Sequence, residues 1–197
     1  MRHQFKITAI VLLCLLFMHA CTNEATNTNE TTSTTPSAED KVKEGQRLVA
    51  ILDCEVCHSP KRMGPKGPEV IPDLRFGGHQ AGTQLPPYDE NTVKSGWALF
   101  APDFTSVIGP WGQSYAGNIS SDSTGIGMWT EEQFKKVIRE GKYKGLDNTR
   151  PILPPMPWQA YSNLTDEEIS NVFAFLKSTN PVKNVVPAAK INPPPAM

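Results

Sequence analysis

The chain has 197 residues, 39% of them hydrophobic and 20% charged, enough for one ordinary soluble domain and too few for two large ones. Its 18 prolines stand well above the ~5% share of an average protein, which argues for long irregular segments and against a regular helical bundle. The net charge of −1 leaves no large basic field and excludes nucleic acid as a partner class.

Residues 1–20 read as a signal peptide. Arg2 and Lys6 make a basic start, and the apolar run 7–18 has the length of a signal core. It is too short to span a bilayer, which takes ~20 residues. The run ends in FMHAC, where Ala20 and Cys21 resemble the bacterial lipobox, although Met18 and His19 depart from its usual Leu and small residue. In that motif the signal is cut before the cysteine, and the cysteine, here Cys21, carries lipid. An ordinary secretory signal with a chance cysteine is the plainer alternative, but it leaves Cys14 and Cys21 without a role. The next 19 residues hold seven Thr and no Leu, Ile, Val or aromatic residue, too little apolar surface to order a segment. Residues 21–40 therefore read as a lipidated tether, 41–187 as the folded domain and 188–197 as a flexible tail. Both readings of the leader export the domain. The lipobox reading anchors it to a membrane, facing the periplasm.

The stretch AEDKVKEGQRLVAILDCEVCH spaces Val42, Gly45, Leu48, Val49 and Leu52 on one helical face. A glycine within that face points to close approach by another helix. The stretch ends in Cys54-Glu55-Val56-Cys57-His58, and C-x-x-C-H is the attachment signature of a c-type haem. Two thiols three residues apart can reach two vinyl groups on one porphyrin edge, and the following His58 can offer its imidazole to iron. The rivals are weak. A thioredoxin-like C-x-x-C wants a βαβ setting, a structural zinc site wants four ligands, and beyond this motif the domain adds only His79.

Residues 59–124 read mostly as loop, rich in Gly and Pro, with poor strand signals. So long a loop is uncommon in a compact domain unless it wraps a large apolar cofactor. Thr130 with Gln133 reads as a capping box opening a helix through Phe134, Val137 and Ile138 that stops at Gly141. Thr165 with Glu168 opens another through Ile169, Val172, Phe173 and Leu176, ending before Asn180-Pro181. This last helix is expected to pack on the first across Gly45.

A second axial ligand separates an electron carrier from an open haem enzyme or gas site. Met63 lies five residues after His58, too near to reach the opposite face of a ring. Met128 sits just before a helix start beside Trp129, and His79 follows two glycines in a loop that looks mobile. Met156 remains, 98 residues after His58 and held between prolines in Pro154-Pro155-Met156-Pro157. A thioether on a flexible side chain gains from a stiff backbone, which lowers the entropy cost of holding its sulfur in place.

Across roughly residues 40–187 the chain resembles bacterial class I cytochromes c. Within them it is closest to a subgroup marked by Gly109-Pro110-Trp111-Gly112, Tyr115, Asn118-Ile119-Ser120, Asp122, Thr124-Gly125-Ile126-Gly127 and Trp129. CHSPKRMGPKGPE, PPMPW and PVKNVVP match as well. The resemblance implies an all-α fold, a few helices around one covalent haem c with long irregular loops. It implies His58 and Met156 as axial ligands, and a proline carbonyl, from Pro65 or Pro68, holding the His58 N–H. Asn118, Asp122 and Trp129 are expected to be structural, and Trp111, Tyr115 or Asn118 are candidates to meet a haem propionate.

The function implied is single-electron transfer rather than catalysis, with no small-molecule substrate. The partners are redox proteins: a dehydrogenase, an oxidase or another cytochrome. A cytochrome subunit of a periplasmic dehydrogenase shares that chemistry and differs only in partner. A haem enzyme or sensor requires that Met156 does not bind. From residue 41 onward 17 Lys and Arg face 16 Asp and Glu, so no steering field separates these readings.

Overall fold

The computed structural model describes residues 36–192. The signal segment, Cys21, most of the tether and residues 193–197 lie outside them. Helix α1 (Ala38–Ile51) starts three residues before the expected domain edge, opened by a reciprocal capping box between Ser37 and Asp40. It buries Gly45, Leu48 and Val49, the face that the helical spacing marked out. Asp53 then turns the chain in the left-handed region, at φ 56°, into the short helix α2 (Cys54–His58).

The long middle segment is not the bare loop its composition suggested. Strands β1 (Lys61–Gly64) and β2 (Gly67–Val70) form one antiparallel hairpin. After the one-turn helix α3 (Glu90–Lys94), β3 (Leu99–Phe100), β4 (Ser106–Gly109) and β5 (Gly112–Tyr115) build an antiparallel sheet completed by β6 (Lys190–Ile191). The expected all-α fold is thus corrected: helices carry the core, and two small sheets carry the loops. The strands are two to four residues long, too short to show a period of two, and the Gly and Pro around them read as loop. Pro110 and Trp111 are the turn between β4 and β5, with Gly109 paired to Gly112. Gly112 has φ 108°, and a side chain on it would collide with the Lys190 carbonyl, so only glycine lets β6 close on this edge. Part of the expected C-terminal tail is therefore a paired strand, fastened by its backbone.

Helix α4 (Glu131–Glu140) ends at Gly141, φ 62°. Its capping box is only half made. Thr130 accepts from the Gln133 nitrogen, but the Gln133 side chain donates to the Lys144 carbonyl instead of returning to the cap. One turn of helix, α5 (Trp158–Tyr161), follows the proline loop. Helix α6 (Asp166–Ser178) opens with the full Thr165–Glu168 box. The core joins α1, α4 and α6 through Leu48, Phe134, Val137, Ile169, Val172 and Leu176, with Phe76 and Ile126 packed in from the loops. No helix of the described residues is long and apolar enough to cross a membrane.

Helices α1 and α6 cross at Gly45. A Cβ there would collide with the Asn171 carbonyl oxygen and lie 2.8 Å from the Phe175 Cβ. The obstacle is backbone, which cannot swing aside, so Gly45→Ala forces the helices apart. The expected cost is about 1–3 kcal/mol, the range for overpacking a core. Thermal unfolding should show it as a midpoint lowered by roughly 2–4 °C per kcal/mol. An unchanged midpoint would mean that the two helices do not depend on this contact.

Candidate functional site

A cavity of about 410 Å³ opens beside α2, within the range of small-molecule and cofactor sites. Cys54, Cys57 and His58 line one side and Met156 lines it from the proline loop. Val137 and Ile138 of α4 and Ile169, Val172 and Leu176 of α6 supply apolar wall. After α6, Val185, Val186, Pro187 and Ala189 run along the cavity before β6 joins the sheet. This strap is tied at its start, where Asn184 donates to the Gly77 and His79 carbonyls and accepts from the Ala81 nitrogen.

The two cysteines are free thiols. Burial pushes the Cys54 thiol up to about 12 and raises Cys57 as well, an effect that Lys61 opposes at Cys57. A redox-active C-x-x-C motif lowers a thiol pKa; this one does the reverse, and a thioredoxin-like role finds no support here. The Lys61 ammonium reaches the carbonyls of Val56 and Ser59, and so closes the C-terminal end of α2.

His58 Nδ1 donates to the Gly117 carbonyl at 2.7 Å. The oxygen expected from Pro65 or Pro68 thus comes from Gly117, 59 residues along the chain. The β1–β2 hairpin directs the proline segment elsewhere: Gly64 and Gly67 form its end. Burial lowers the imidazole pKa against the opposing pull of that hydrogen bond. The ring is neutral at ordinary pH, with the Nε2 lone pair left over, as metal ligation requires.

Met156 sits in a loop fastened at several points. The Ile152 nitrogen donates to Gly141 at 2.7 Å, and Ser114 Oγ donates to the Pro154 carbonyl at 2.7 Å. The Met156 carbonyl accepts from the Trp158 nitrogen at 3.0 Å. Tyr161, at the end of α5, donates its hydroxyl to the Leu52 carbonyl at 2.8 Å. That last bond ties the methionine segment to the turn that leads into the cysteines.

The other candidates lie elsewhere. Met63 is 73% and Met128 80% exposed, and neither lines the cavity. His79 does not line it either, and its mobile appearance is corrected: the ring is 2% exposed, bonded to Thr105 Oγ1 at 2.7 Å and stacked on Tyr115 at 4.7 Å. Asn118 and Asp122 are loop-building residues. The Asn118 amide donates to the Val182 carbonyl and its oxygen accepts from Ser120, while Asp122 accepts from the Thr124 nitrogen and hydroxyl. Trp129 packs on the core. Trp111 lies off the cavity; Tyr115 and Asn118 line it, but the Asn118 amide is already committed to the protein. Sequence reasoning missed Gly117, Ser114 and Tyr161. Ser114 and Tyr161 act across 40 and 109 residues, and Gly117 acts through its backbone, so no local spacing signals them.

Comparison with known proteins gives a consistent picture. Residues 42–180 match the family described as cytochrome c. The chain is 27% identical over 149 residues to the fructose dehydrogenase cytochrome subunit of Gluconobacter japonicus, covering 74% of this chain and 23% of that one. It is 27% identical over 152 residues to the gluconate 2-dehydrogenase cytochrome c subunit of Pantoea cypripedii, covering 77% of this chain and 25% of that one. Over 86 residues it is 33% identical to a nicotinate dehydrogenase subunit from Pseudomonas putida, covering 43% of this chain and 7% of that one. The matches thus span a quarter or less of these relatives.

The Tyr161 bond carries a pH signature. Burial pushes its phenol up to about 12, whereas an unfolded tyrosine ionises near ~10. Between about pH 10 and 12 only the unfolded state releases the proton, so stability falls as pH rises through that window. Tyr161→Phe should cost about 0.5–1.5 kcal/mol at neutral pH through the lost hydrogen bond. It should also lose less than the parent on the alkaline side, so the gap between their denaturation midpoints narrows above about pH 10. A gap that stays constant with pH would refute this.

Proposed function

Since the chain belongs to the cytochrome c family, we propose that it carries single electrons between protein partners on one covalently bound haem c. The observation that carries this reading is a coincidence of residues. Among the described histidines and methionines, only His58 and Met156 line the cavity that also holds Cys54 and Cys57. The free lone pair on His58, the paired thiols and the mostly apolar wall fit a haem. C-x-x-C-H occurs once, so one haem is held.

Bound there, the haem supplies an iron that takes up and returns one electron. The chain does the rest. Cys54 and Cys57 would hold the group covalently through their sulfurs, and His58 and Met156 would ligate its iron, which would leave no open position for a substrate. The soft methionine sulfur favours the reduced state and raises the potential. The apolar side chains of α4 and α6 exclude water and act in the same direction. Lys144 and Arg150 also line the cavity and offer cations to the acidic propionates.

The partner reading takes its support from the relatives. Two are named as cytochrome subunits of sugar or sugar-acid dehydrogenases, which favours a role passing electrons on from a dehydrogenase. A free carrier serving an oxidase or another cytochrome shares the same site. An open-iron enzyme or sensor is disfavoured by the fastening of the Met156 loop at both ends. Cys21 is proposed as a lipid site, with residues 21–40 as the tether and the domain exported to face the periplasm. A tether of that length keeps the domain concentrated near membrane partners.

The ferric holoprotein should be low-spin and six-coordinate, with a far-red methionine–iron charge-transfer band. Met156→Ala should abolish that band and lower the reduction potential; a variant with an unchanged potential would overturn the carrier reading. For the anchor, fractionation of cells is the test. Cys21→Ser should move the protein to the soluble fraction, and a variant that stays with the membrane would refute lipidation at that residue.

A further inference from the structure

Segment 76–79 runs beside segment 116–119. The His79 nitrogen donates to the Ala116 carbonyl at 2.9 Å, and the Ile119 nitrogen donates to the Phe76 carbonyl at 2.9 Å. Gly78 lies between these two bonds. Its own nitrogen donates to the His58 carbonyl at 2.8 Å. A Cβ built on it would meet the Gly117 carbonyl carbon at 2.5 Å and the Gly117 and Ala116 oxygens at 2.6 Å. The Gly117 oxygen is the acceptor for His58 Nδ1. One residue without a side chain is therefore wedged between the main chain of His58 and the carbonyl that orients its ring. Asn184 braces this segment from the other side by its bonds to the carbonyls of Gly77 and His79.

We propose that Gly78 is a positioning residue for the axial imidazole: it lets the Gly117 carbonyl close on His58 Nδ1–H, and that contact sets the reduction potential. The inference rests on His58 being the iron ligand. A carbonyl accepting from Nδ1–H makes the imidazole a stronger donor to the metal. A stronger donor stabilises the oxidised iron and lowers the potential. Any side chain at 78 pushes the carbonyl off and raises it. The rival explanation is that Gly78 is needed only for its φ of +70°. Gly82 provides the control, since it has φ +82° and nothing within 4 Å of a built Cβ.

The experiment compares holoprotein of Gly78→Ala and Gly82→Ala with the parent by equilibrium redox titration, and follows His58 Nδ1–H exchange by NMR. Gly78→Ala should keep a low-spin spectrum while the reduced-to-oxidised ratio at the parental midpoint rises on the order of tenfold. Its Nδ1–H should exchange faster. Gly82→Ala should leave both readouts at parental values. Equal shifts in the two variants, or no shift in Gly78→Ala, would overturn the proposal. Should Gly78→Ala yield no holoprotein, Asn184→Ala replaces it: a raised potential with faster Nδ1–H exchange supports the positioning role of this segment, and parental values sink it. A parent protein lacking the low-spin spectrum would instead remove His58 ligation, the premise, and is read separately.

Discussion

Helices α1 and α6 meet with no side chain between them at Gly45, and the architecture of the site depends on that contact. Backbone against backbone leaves no rotamer to adjust, so the crossing is stiff. On one side of it, the last turn of α1 delivers the chain to Asp53 and the cysteine helix. On the other, α6 presents Ile169, Val172 and Leu176 to the cavity. The distance from the thiols to the opposite apolar wall is inherited from the crossing rather than set by the wall residues themselves.

The site reads along the chain in two ways. Features written as local patterns were legible. The C-x-x-C-H signature, the threonine box that caps α6, the Gly141 stop and the Gly45 face each occupy a few consecutive turns, and spacing alone reveals them. Met156 was singled out by elimination, and it lines the cavity, whereas Met63 and Met128 are exposed and do not. Features made across distance were not. The acceptor for His58 is a backbone oxygen from a distant loop, and nothing in the identity of a glycine announces that its carbonyl is in use. His79 looked mobile because glycines precede it, yet the ring is held by Thr105 and Tyr115, which lie in another part of the sequence. The strands escaped notice for a related reason: at two to four residues, their pairing is decided by partners rather than by their own pattern.

Much of the middle segment stays ordered without regular structure. Ser59 Oγ accepts from the Phe76 nitrogen, Ser120 Oγ accepts from the Val182 nitrogen, and Asn118 and Asn184 each bridge several carbonyls. These small polar side chains take the place of ladder hydrogen bonds and let buried backbone turn freely without leaving its polar groups unpaired. The loop that runs from Asn118 to Thr124 is, in physical terms, a set of such substitutes. Its Gly117 emerges from the same arrangement that buries Asn118.

The strap that ends in β6 has a consequence for the order in which the molecule can be completed. Cys54, Cys57 and His58 lie in the first third of the chain, whereas Met156, the cavity-lining run from Val185 to Ala189 and the strand Lys190–Ile191 come last. A chain emerging from its N-terminus offers Cys54, Cys57 and His58 while the wall opposite them does not yet exist. The C-terminal residues that line the cavity come late, and β6 beyond them pairs with Gly112 and Gln113. Sequence order thus places the cysteine helix well ahead of the residues that face it across the cavity, with β6, the last strand of the described residues, behind them all.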